Sequence, residues 1–242
     1  MSEKLTFLDL PSRPPCKTWS LNPWKTRMML NFKGIDYQTQ WVEYPDIKDT
    51  VKDHVQPNEG GWPYTIPTVK FPDGTWVMDS KKIAEAIESR YPEPSVRLDS
   101  PYQAKIEEFV GPLANKTFGL FIDNLPKNVL NPRSSDYWFA DRAKIVGCPC
   151  DEFEKKMGGQ AAIDAAKENL QKVTELYKEN SEGPFLEGKK PIYADFQWIG
   201  YLVFIQRSAP DWFEKVLEAT GDAELHKAVL TAASPYLERD DH

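Results

Sequence analysis

The sequence predicts two unlike parts: a small α/β domain over residues 1–94 and a larger all-helical domain over residues 101–242. Three observations carry this. Short runs of β-forming residues alternate with helix start and stop signals as far as Tyr91. A Pro72-Asp73-Gly74 turn separates two such runs. Beyond Pro101 the strand signal gives way to apolar residues at helical intervals.

Lys4 to Leu10 alternates like a strand, with Leu5 and Phe7 on one face, and stops at the proline-rich stretch Pro11 to Pro15. A helix is predicted over Pro23 to Lys33. Asn22 suits the N-cap, Pro23 the first helical position, and Gly34 the left-handed residue that ends it. Asp36 to Tyr44 holds Tyr37, Thr39, Trp41 and Val42 and reads as a strand closed by Pro45. Ile47, Val51 and Val55 imply a short helix, and Gln56 to Pro63 a loop. Ile66 to Phe71 and Thr75 to Met78 form the predicted hairpin, after which Asp79-Ser80 opens a helix carrying Ile83, Ala84, Ile87 and Tyr91. The order β-α-β-α-β-β-α defines a four-stranded mixed sheet with helices packed on it.

In the second part, helices are expected over Tyr102 to Val110, Phe118 to Leu125, Ala161 to Tyr177, Trp212 to Ala219 and Ala223 to Ala233. Phe196 to Gln206 is almost wholly apolar, as a central buried helix would be, and Lys127 to Ser135 is expected to be a loop.

A net charge of −7 argues against nucleic acid or an acidic membrane surface as partner. No apolar run approaches the ~20 residues of a membrane span, and Glu3, Lys4 and Asp9 interrupt any secretory leader, so a cytoplasmic location is expected. Cys16, Cys148 and Cys150 make no disulfide framework. Cys148-Pro149-Cys150 has no second Cys or His pair at metal-binding spacing, so no metal is expected.

The residues that carry chemistry are Ser20 before the first helix, Ile66-Pro67 at the entrance to the hairpin, and Asp79-Ser80 at the next helix start. Taken singly, each is most simply a cap or a rigid turn. Their order within this strand pattern changes the balance. Trp19-Ser20-Leu21-Asn22-Pro23-Trp24-Lys25-Thr26-Arg27, Tyr64-Thr65-Ile66-Pro67-Thr68-Val69 and Met78-Asp79-Ser80-Lys81-Lys82-Ile83 together resemble the glutathione transferase superfamily. Pro184-Phe185-Leu186 and Tyr193-Ala194-Asp195 extend that resemblance into the helical part. The first of these stretches, followed by Phe32-Lys33-Gly34-Ile35, is most similar to the fungal etherase-like FuA class and to bacterial glutathione-dependent β-aryl etherases.

The resemblance implies a thioredoxin-like first domain, glutathione as co-substrate, a homodimer and a hydrophobic, aromatic second substrate. It implies that Ser20 stabilises the glutathione thiolate. A thiol with an unperturbed pKa of ~8.5 has to lose its proton to attack at neutral pH, and a hydroxyl at a helix N-terminus favours the anion. Asn22 is a second possible donor beside its reading as a cap. Ile66, before a proline that is cis in the family, is implied to pair its backbone with the cysteinyl residue. Ser80 and the helix amides are implied to take the γ-glutamyl carboxylate, and Asp79 its ammonium. Lys48, Lys52, His54 and Gln56 all remain candidates for the glycyl carboxylate. The co-substrate wall is expected from Trp19, Trp24, Phe109, Phe118, Phe121 and Trp138, although aromatics at such spacing are often plain core.

Two departures matter. Ser20 stands where thiol-transferring relatives have Cys, which removes a mixed disulfide at that position and favours conjugation or ether cleavage. Cys16 is a loop thiol with a conceivable redox role. Ile192 replaces the Ser or Thr of the family's capping box three residues before Asp195. The competing readings are a non-catalytic glutathione-dependent binding protein for aromatic compounds and a protein-interaction module of the same fold.

Overall fold

The computed structural model describes residues 4–241. Strands β1 (Leu5–Asp9), β2 (Tyr37–Trp41), β3 (Thr68–Lys70) and β4 (Trp76–Met78) form one sheet in the order β2-β1-β3-β4. β1 runs parallel to β2, Leu5 opposite Tyr37, while β3 is antiparallel to β1 and β4 to β3. Helices α1 (Leu21–Lys33), α2 (Ile47–Val51) and α3 (Ser80–Arg90) complete the α/β part. The expected element order therefore stands, with shorter strands. Gly74, at φ 85°, supplies the left-handed residue that closes the β3–β4 turn.

α1 starts two residues earlier than the sequence suggests. Ser20, not Asn22, is its N-cap: the extended Ser20 backbone (φ −79°, ψ 140°) places its carbonyl 3.1 Å from Trp24 N–H, the first rung of the helix. Pro23 is tolerated because its missing N–H belongs to the first turn, whose donors have no intrahelical partner. At the far end Gly34 (φ 65°) takes the left-handed cap as expected.

The helical part comprises α4 (Pro101–Val110), α5 (Leu113–Lys116), α6 (Asn124–Asn128), α7 (Pro132–Val146), α8 (Cys150–Met157), α9 (Gly159–Lys178), α10 (Tyr193–Ser208), α11 (Pro210–Ala219) and α12 (Ala223–Leu237). α10 is the central helix, with Phe196, Trp198 and Tyr201 fully buried. It lies directly on α1. Gly200 permits that approach, since a Cβ there would lie 3.3 Å from Leu21 O. α1 is thereby held between α10 and the sheet, where Arg27 meets Asp9 of β1 at 2.9 Å with both side chains fully buried.

Two expectations fail here. Phe118 to Leu125 is not one helix but a 3-10 turn (Phe118–Leu120) followed by α6. Gly119 lies so close to the Met157–Gly158 backbone that a Cβ would come within 2.4 Å of Met157 O, and this seating of α8 on the chain interrupts the helix. Lys127 to Ser135 is not a loop throughout, because α6 extends to Asn128 and α7 starts at Pro132.

The substitution at Ile192 costs less than expected. The Asp195 carboxylate still accepts Ile192 N–H (2.8 Å), Leu186 N–H (3.1 Å) and the Tyr177 hydroxyl (2.8 Å). Burial nevertheless pushes the Asp195 pKa up to about 6 against those three bonds.

Candidate active site

The site forms where the N-terminus of α1, the approach to β3 and the face of α7 converge. A cavity of about 530 Å³ is lined by Ser20, Asn22, Lys48 and Ile66 from the α/β part and by Tyr137 and Arg142 from α7. An adjoining pocket holds Asn22, Ile66, Pro67, Asp79 and Ser80. The two share Asn22, Trp62, Thr65 and Ile66, so the predicted site residues occupy one continuous cleft.

Ser20 is a cap residue whose side chain caps nothing. Its hydroxyl has no hydrogen-bond partner among the described residues, although the backbone begins the helix. The usual N-cap bond to the first-turn amides is therefore not made, and Ser20 lines the cavity beside the positive end of α1. Asn22, exposed on the first turn, accepts a hydrogen bond from Lys25 Nζ at its side-chain oxygen at 2.8 Å and keeps its amide nitrogen free of that bond. Burial brings the Lys25 pKa down to about 8 against the pull of Asp79 and Glu107.

The Ile66–Pro67 peptide bond is cis. Ile66 lies just outside the β1–β3 ladder and lines both parts of the cleft. Asp79 adopts φ 83°, a conformation that costs a non-glycine residue of order 1–3 kcal/mol and that clusters at ligand clamps. Its carboxylate caps α3 by accepting Lys81 N–H (2.9 Å) and Lys82 N–H (3.3 Å). The Tyr193 hydroxyl of α10 donates to Ser80 O at 2.9 Å, tying this corner to the helical part.

Of the four residues considered for the glycyl carboxylate, only Lys48 lines the cavity. Lys52 is paired with Asp49 at 2.6 Å, and His54 stacks on Trp76 at 4.3 Å. Burial pushes the Cys16 thiol upward, away from the reactive range, and Cys16 lies outside the cavity lining.

The expected aromatic wall is corrected. Trp19, Trp24, Phe121 and Trp138 are buried as core, Phe118 packs edge-on against Phe121 and Phe153, and Phe109 lies under Lys172. None of the six lines the cavity; Tyr44, Trp62, Tyr64 and Tyr137 do. Tyr44 and Tyr137 stack at 6.0 Å with their planes 5° apart. α7 is fixed in this place from the β2–α2 connection. Ser134 Oγ accepts Tyr44 N–H at 3.0 Å and bonds to the Glu43 carboxylate, Asn131 donates to Glu43 at 2.7 Å, and Arg133 grips Asp46 at 2.7 and 2.8 Å. The sequence held one signal for this wall, the clustering of Tyr137, Trp138 and Arg142 after a proline, but no local pattern joins it to Tyr44.

A thioredoxin-like sheet with a helix N-terminus over a cleft, closed by a helical bundle, defines a thiol-handling class of protein. The chain belongs to the glutathione S-transferase family: residues 19–90 match the model of its N-terminal domain and residues 103–229 that of its C-terminal domain. A glutathione S-transferase-like protein of Aspergillus flavus is 32% identical over 256 residues, covering 97% of this chain and 91% of the relative. Glutathione transferase GSTFuA2 from Phanerochaete chrysosporium superimposes with a TM-score of 0.86 at 29% identity, covering 99% of this chain and 100% of that one. A glutathione S-transferase of Ceriporiopsis subvermispora, solved in complex with glutathione, does so with a TM-score of 0.79 at 28% identity over 97% and 98% of the two chains. The likeness to the fungal FuA class is thus one of sequence and of fold.

Proposed function

We propose that this glutathione transferase is of the serine type and joins glutathione to hydrophobic aromatic electrophiles, aryl ethers among them. The observation that carries the reading is Ser20, which lines the cavity at the start of α1 and whose hydroxyl has no hydrogen-bond partner among the described residues. Such a hydroxyl donates to a thiolate sulfur, and the α1 dipole adds to the same preference. The γ-glutamyl end fits the adjoining pocket, its carboxylate toward Ser80 and the α3 amides and its ammonium toward Asp79, with Ile66 meeting the cysteinyl backbone. Lys48 suits the glycyl carboxylate, and Asn22 is the second donor near the sulfur.

The sulfur then faces the Tyr44–Tyr137 wall. Its lone pair forms the new C–S bond at the electrophilic carbon while the bond to the leaving group breaks. The leaving group departs with the electron pair, as phenolate where the substrate is an aryl ether. In this reading residues 1–94 bind glutathione, residues 101–242 complete the second-substrate wall, and the chain works as a homodimer.

The test is a steady-state conjugation assay with an aromatic electrophile. Ser20→Ala is expected to lower kcat/KM by roughly 30- to 100-fold, in line with the loss of one charge-assisted hydrogen bond. Tight glutathione binding with no turnover by the native protein would favour the storage-protein reading instead. No glutathione binding at all would leave the interaction module.

A further inference from the structure

Arg142 is the only cationic side chain that α7 contributes to the lining of the cavity, and its surroundings are unusual for an arginine. It is 8% exposed, and its guanidinium carbon lies 4.3 Å from the Trp138 ring centre and 4.6 Å from that of Trp62. The Tyr44 ring lies 5.9 Å away. Two indole rings thus lie against a planar cation, which holds the guanidinium in place.

Its hydrogen bonding is incomplete. Nη1 bonds to the carboxylate of neighbouring Asp141, and no further hydrogen bond of the guanidinium occurs among the described residues. The remaining N–H groups therefore keep donor capacity on a residue that lines the cavity. A guanidinium carries five N–H donors in a fork that matches a carboxylate. Burial also holds the Tyr44 phenol firmly protonated, which leaves it able to donate from the same wall.

Charge adds to the argument. The chain carries −7 overall, and bound glutathione brings carboxylates and a thiolate of its own. A second anion entering a partly enclosed cleft of about 530 Å³ beside bound glutathione therefore requires a local cation, and an uncharged arene would need none.

We infer that the second-substrate site selects planar aromatic acids, the arene stacking on Tyr44 and Tyr137 while its carboxylate is held by Arg142. This inference rests on the functional reading above and sharpens its substrate class.

The test compares naphthoate with naphthamide, which share shape and differ in charge, by calorimetry on the intact protein saturated with glutathione. The native protein is expected to prefer naphthoate by about tenfold or more, the range for a charge-assisted pair. Arg142→Gln is expected to bring the ratio near one and leave glutathione affinity unchanged. Should that variant fail to fold, Asp141→Asn decides: freeing the guanidinium from its internal carboxylate is expected to tighten naphthoate several-fold and leave naphthamide alone. Equal affinity of the native protein for the two arenes overturns the inference. So does an Arg142→Gln variant that keeps the preference, or an Asp141→Asn variant that binds naphthoate no better. Loss of glutathione affinity in Arg142→Gln would assign the arginine to the glycyl carboxylate and overturn it as well. A native protein that binds neither arene but still binds glutathione sinks this inference alone, whereas one that binds no glutathione sinks the functional reading beneath it.

Discussion

Arg207 of α10 reaches Asp240, beyond the end of α12, with Nη2 2.7 Å from the carboxylate, while its Nη1 donates to Thr18 O at 2.9 Å. Asp240 in turn accepts Lys17 Nζ at 3.1 Å and, through its backbone oxygen, Thr18 N–H at 2.8 Å. The C-terminal segment is therefore pinned to the two residues before Trp19-Ser20. Asp240→Ala removes both ion pairs of a residue that is only 6% exposed. The expected loss is about 1–3 kcal/mol in denaturant unfolding, with faster amide exchange at Thr18. An unchanged Thr18 exchange rate would show that Asp240 does not hold this loop.

The second prediction concerns the Asp9–Arg27 pair beneath α1. Both partners are fully buried, and Arg27 also lies over Phe7 at 5.0 Å and donates to Thr39 at 3.1 Å. Asp9→Ala removes a fully buried ion-pair partner of this guanidinium, and about 3–5 kcal/mol of stability should be lost. Urea unfolding at neutral pH measures it. A loss below 1 kcal/mol, the level of a surface pair, would contradict the role given to this bond.

How far these features were legible in the sequence follows from which face each element buries. α10 declared itself because nearly every side chain is apolar, and the hairpin because Pro72-Asp73-Gly74 demands a turn. α7 did not. Its buried residues are Ser134, Ser135, Trp138 and Arg142, so the face turned inward is largely polar and shows no hydrophobic period. The start of α1 was misplaced for a related reason: Asn22 and Ser20 both have capping side chains, and in the structure neither of them caps. Ser20, Ile66 and Ser80 were readable as a constellation through the resemblance of their flanking stretches to glutathione transferases, since at element boundaries each alone reads as a cap or a turn. The Tyr44–Tyr137 wall was not, since it depends on two residues far apart in the chain.

Acid should act on His226 and Asp195 in opposite directions. His226 is sealed in the helical part, accepting Trp198 Nε1–H at Nδ1 (3.0 Å) with Nε2 2.7 Å from Thr174 Oγ1, and burial pulls its pKa down to about 4. The folded state therefore binds that proton less readily than the unfolded chain, and stability falls as pH drops from about 6.5 toward 4. Asp195, raised to about 6, shifts the other way: its contribution falls as pH rises from about 3.8 toward 6. Asp195→Asn should leave a melting temperature that climbs steadily between pH 4 and 6.5, and His226→Gln one that declines between pH 4 and 6. Identical slopes in the two variants would exclude this opposition.

Ser80 and Ser20 should separate kinetically. With Ser80 in its proposed place against the γ-glutamyl carboxylate, Ser80→Ala is expected to raise the KM for glutathione by about tenfold, the cost of a hydrogen bond to a charged group. The ionisation of bound thiol should not move. A KM that stays at its native value would remove Ser80 from the binding site.

The central claim is that the Ser20 hydroxyl keeps the glutathione sulfur ionised. Its most direct measurement is the ultraviolet absorbance of bound thiolate, titrated with pH in the native protein and in Ser20→Ala. The account predicts a native midpoint about two units below the ~8.5 of a free thiol, equivalent to roughly 2.7 kcal/mol, and a midpoint in Ser20→Ala that returns most of the way. Coincident titration curves for the two proteins, with glutathione bound in both, would contradict it.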